Sequence, residues 1–62
     1  MSKFEYLMSL KAELKGLRAQ LEILKNSAPT EQNLAAVNEI TDRATALRVY
    51  IRQYARKYGM AA

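Results

Sequence analysis

The strongest constraint on the fold of this chain is a ladder of leucines. Leu7, Leu10, Leu14, Leu17, Leu21 and Leu24 recur at spacings of three, four, three, four and three. Such alternation keeps all six side chains on one narrow stripe of an α-helix, and its mean of about three and a half residues is the seam of a left-handed helix pair. A helix lying on a sheet would show a broader stripe. Further along, Val37, Ile40, Ala44, Leu47, Ile51, Tyr54 and Tyr58 repeat the same alternation. The chain therefore carries its own cover for the ladder.

The punctuation between the seams agrees. Ser2 is a suitable N-cap with Glu5 three residues on, the spacing of a capping box, and Met1 and Tyr6 stand at hydrophobic-staple positions. A first helix over about 3–26 follows. Its weakest member is Gly16, which reads either as a tolerated solvent-face residue or as a point of close approach by another helix. Asn26-Ser27-Ala28-Pro29-Thr30 is the one break, because Pro29 lacks an amide and biases Ala28 away from helical dihedrals. Ser27 or Thr30 can cap a second helix over about 30–58, with Glu31 in its first turn and Gly59 just past its end.

Two long helices joined by a short connection are antiparallel neighbours. The fold class is thus all-α, an antiparallel two-helix hairpin spanning 1–62 as a single domain. Folding at about Ala28 pairs Leu24 with Asn33 or Leu34, Leu21 with Val37, Leu17 with Ile40, Leu14 with Ala44, Leu10 with Leu47 and Leu7 with Ile51, and brings Phe4 near Tyr54. Those eleven residues from Leu7 to Leu24 and Val37 to Ile51 form the expected core. Phe4, Tyr6, Met8, Ile23, Leu34, Ala36, Tyr50 and Ala55 flank it, more apolar surface than two helices can cover. Val49 fits neither seam and is expected on the surface. A core of 62 residues rarely supplies more than about 3 to 5 kcal/mol without a staple. With neither cysteine nor histidine for a disulfide or the commonest metal site, oligomerisation is the staple left, and two hairpins pairing into a four-helix bundle is the expected form.

The same inventory bears on chemistry. Nucleophile–histidine pairs, zinc sites and histidine-bearing di-iron sites are impossible, and the isolated Gly16 and Gly59 build no phosphate loop. The acids Glu5, Glu13, Glu22, Glu31, Glu39 and Asp42 are spread as on a solvated helix surface. The chain is expected to be no enzyme and to hold no cofactor and no metal. No run approaches a membrane span, no signal peptide is evident, and cysteine is absent; the expected location is cytoplasmic, away from membranes.

One stretch stands apart. From Arg43 to Tyr58 there are five cations and no acid, interleaved with tyrosines. Arg48, Arg52 and Arg56 form one row at helical spacing, and Tyr50, Tyr54 and Tyr58 form another. With Lys57 they constitute a candidate face for nucleic acid or a protein partner. The plainer reading has the tyrosines filling the end of the bundle while the cations complement the helix dipole. The expected function is a small non-enzymatic interaction or regulatory protein, a hairpin dimer docking on a protein partner. The alternative is nucleic-acid binding through the tyrosine–arginine face.

Overall fold

The computed structural model describes residues 1–61 of the chain. Two helices, α1 (Lys3–Lys25) and α2 (Glu31–Lys57), pack side by side as an antiparallel hairpin 42 Å long and about 16 Å across. Among the described residues, no helix is long and apolar enough to cross a membrane.

The helix ends form for identifiable reasons. Ser2 caps α1 through a complete capping box: its hydroxyl accepts from the Glu5 amide at 3.0 Å, and the Glu5 carboxylate accepts from the Ser2 amide at 3.2 Å. At the other end, Asn26 Nδ2 donates to the Glu22 carbonyl and Ser27 Oγ to the Ile23 carbonyl, at 3.0 and 2.8 Å, so two carbonyls without helical partners are satisfied by side chains. Pro29 then sits inside a tight turn closed by the Thr30 amide on the Ala28 carbonyl at 2.8 Å. Thr30, not Ser27, is the N-cap of α2; its hydroxyl accepts from the Asn33 amide, while Asn33 Nδ2 ties the connection down at the Ala28 carbonyl.

The C-terminus of α2 is a Schellman motif. Gly59 takes a positive φ of 66°, the Met60 amide donates to the Ala55 carbonyl at 2.7 Å, and the Gly59 amide donates to the Arg56 carbonyl at 3.3 Å. The reversal carries Met60 back onto the core, where it covers Ala55. Gly16 has no such conformational reason. A Cβ placed there would meet nothing within 4 Å, so the close-approach reading fails and Gly16 is a solvent-face residue.

The core is the ladder against the second seam, unevenly covered. Leu7, Leu10, Leu14, Leu17, Ala44, Ile51 and Ala55 are buried, whereas Leu21, Leu24, Val37, Ile40 and Leu47 are half-buried. Two details depart from the expected seam. Ala55 is 1% exposed and belongs to the core, while Tyr58 is 39% exposed and has left it. Four residues past Ile51, Ala55 continues the inward stripe, and the Met60 reversal closes over it.

Candidate interaction faces

All four tyrosines of the chain gather at the end remote from the turn. Tyr54 is the hub. Its ring meets Tyr6 edge-on at 5.1 Å between centroids, Tyr58 at 4.8 Å and Tyr50 at 6.3 Å. Offset and edge-on geometries of this kind suit the ring quadrupoles. Lys3 Nζ lies 5.0 Å from the Tyr58 centroid and Lys57 Nζ 5.4 Å, both within cation–π range. An open concavity of about 250 Å³ beside the hub is lined by Tyr50, Gln53, Tyr54, Lys57 and Tyr58.

The expectation that Phe4 falls near Tyr54 meets a different arrangement. Tyr6 supplies the ring contact across the hairpin, and Phe4 is 63% exposed. The cause is helical phase: Tyr6 precedes the seam residue Leu7 by one position and Phe4 by three, which puts them on opposite flanks of the leucine stripe. Two phenols feel the cluster. The hydrogen bond between Tyr6 and the Tyr50 hydroxyl is the main reason the Tyr6 phenol is raised above its ordinary range, with the Tyr50 charge next; Tyr54 is raised chiefly by desolvation, then by its tyrosine neighbours, with Lys57 opposing.

Phase also separates the two rows of α2. Each arginine of Arg48, Arg52 and Arg56 precedes a tyrosine by two residues, about 200° around the helix. Arginines and tyrosines therefore flank the seam on opposite sides. The candidate residues form two faces, with Lys57 on the tyrosine side, where it reaches Tyr58.

The Tyr6–Tyr54 contact fixes which flanks of the two helices adjoin. On the tyrosine side, helical phase adds Leu24 and Glu13 from α1, and Ala36, Glu39, Arg43 and Leu47 from α2. Leu24, Ala36 and Leu47 are half-buried there, and the charges balance: Glu13 and Glu39 against Arg43 and Lys57. The opposite side brings Lys11, Lys15, Arg18 and Lys25 of α1 beside Arg48, Arg52 and Arg56 of α2, with Glu22 as its acid. Seven of the ten cations and one of the six acids thus share one face. The basic half of this arrangement was legible only for α2, because the α1 lysines join it through the packing.

No family model matches the chain, and no curated protein or solved structure is detectably similar to it.

Proposed function

We propose that the chain is a non-enzymatic interaction protein of the cytoplasm, a helical hairpin that pairs with a second copy into a four-helix bundle and docks on a protein partner. The observation that carries this reading is the tyrosine face. It combines Tyr6, Tyr50 and Tyr58, exposed but rich in contact area, with half-buried Leu24, Ala36, Leu47 and Tyr54, and its charges cancel. Aromatic side chains on a charge-balanced apolar face are the usual material of interface centres. Pairing through the other face would bring two sets of seven cations together.

A second copy on the tyrosine face supplies the cover that a two-helix core of this size lacks. The apolar residues left outside lie near the turn: Ile23 is 68% exposed and Leu34 is 55% exposed. They serve the protein partner as anchors. An affinity pulldown should return a stoichiometric partner whose binding survives moderate salt, and Ile23→Lys with Leu34→Lys should release it while leaving the dimer whole. A pulldown that returns nucleic acid alone would count against the partner.

A further inference from the structure

We infer that the face opposite the tyrosines is a docking surface for the phosphate backbone of double-stranded DNA. This goes beyond the protein-docking reading, using another face and another class of partner. The first argument is the distribution of charge. The chain carries a formal +4, yet the face of Lys11, Lys15, Arg18, Lys25, Arg48, Arg52 and Arg56 holds more positive charge than the whole molecule, because five of the six acids lie elsewhere. A net charge spread by chance over a helix surface would intersperse its acids. This one is sorted across the hairpin, and it is the packing of α1 on α2 that sorts it.

Shape supplies the second argument. With Tyr6 level with Tyr54, Arg56 lies near the start of α1 and Lys25 near the turn, so the cations extend over roughly 30 Å of the 42 Å long axis. That is close to one helical turn of B-form DNA, about 34 Å. Within α2 the arginines follow one another at about 6 Å. Arg48, Arg52 and Arg56 are exposed, as are Lys15, Arg18 and Lys25; Lys11 is partly engaged, its ammonium donating to the Ala61 carbonyl at 3.4 Å.

The third argument selects the duplex. Single strands are held on aromatic platforms, and sequence-specific RNA binding likewise relies on stacked, unpaired bases. Here every tyrosine is on the far side, leaving Phe4 as the aromatic residue of the basic face. What remains is a row of long cationic side chains suited to phosphates, which position a protein on DNA without reading sequence. Phe4, Met8 and Leu34 on this face are separated by charged residues, unlike the continuous apolar stripe of a membrane-surface helix.

The test is the salt dependence of binding to a labelled DNA duplex two turns long, measured by fluorescence anisotropy with the full chain. Lys15→Gln/Arg18→Gln and Arg48→Gln/Arg52→Gln should each lower the slope of log K against log salt by about two, the number of phosphates released. Lys3→Gln/Lys57→Gln removes the same charge from the tyrosine side and should leave the slope unchanged; circular dichroism verifies that each variant is folded. Equal loss from all three pairs would reduce the effect to net charge and overturn the proposal. So would absence of duplex binding at low salt, or tighter binding to single-stranded DNA, to duplex RNA or to vesicles of anionic phospholipid.

Discussion

Tyr6 and Tyr54 face each other across the open end of the hairpin, ring edge against ring face, 5.1 Å between centroids. Theirs is the contact that joins α1 to α2 outside the aliphatic core. It also fixes the handedness of the packing, and hence which flanks make the tyrosine face and which the basic face.

Because both phenols are raised in the folded chain, the neutral forms belong to the native state. Above about pH 10 the unfolded chain loses its phenolic protons first, so the stability these groups contribute is complete below that pH and falls as pH rises through the folded values. Urea midpoints measured from neutral to alkaline pH should decline in this window. Tyr6→Phe and Tyr54→Phe should each flatten the decline, and phenolate absorbance should show the two late-titrating groups disappear.

Glycine separates the two helix-end arguments. Gly16→Ala should stabilise the chain by about 1 kcal/mol, since the new methyl meets open space and the helix gains propensity. Gly59→Ala should destabilise it by about 1 kcal/mol or more, because its φ of 66° is costly for any residue with a Cβ. Paired thermal unfolding curves would show opposite shifts.

Ala55 should tolerate nothing larger. At 1% exposure, beneath Met60, it has no room for added methylenes, and Ala55→Leu should cost roughly 1 to 3 kcal/mol in chemical denaturation. Leu14→Asp should be worse, burying an unpaired charge and removing the helical circular dichroism signal outright.

Thr30→Ala should cost about 1 kcal/mol by freeing the Asn33 amide, and Ser2→Ala a similar amount by breaking the capping box. Thermal melts of the two variants measure both. The double variant should add, since the caps lie in different helices and share no partner.

Much of this hairpin was legible from spacing. The leucine ladder, the second seam and the Ser2, Thr30 and Gly59 punctuation act within a few residues, and each helix end obeys local hydrogen-bond rules. What escaped depends on the chain meeting itself. Ala55 reads as a flank until the turn at Gly59 brings Met60 over it. Phe4 and Tyr6 both adjoin the ladder, and only packing decides which reaches Tyr54. The division of Arg48, Arg52 and Arg56 from Tyr50, Tyr54 and Tyr58 follows from a two-residue offset, but Lys15, Arg18 and Lys25 join the arginines through the hand of the hairpin.

The central claim, that a second copy completes this fold through the tyrosine face, is tested most directly by sedimentation equilibrium at micromolar concentration. The account expects a mass twice the 7.1 kDa of the chain, reverting to 7.1 kDa in Tyr50→Lys with helicity retained. A folded wild-type chain sedimenting as a monomer would contradict it.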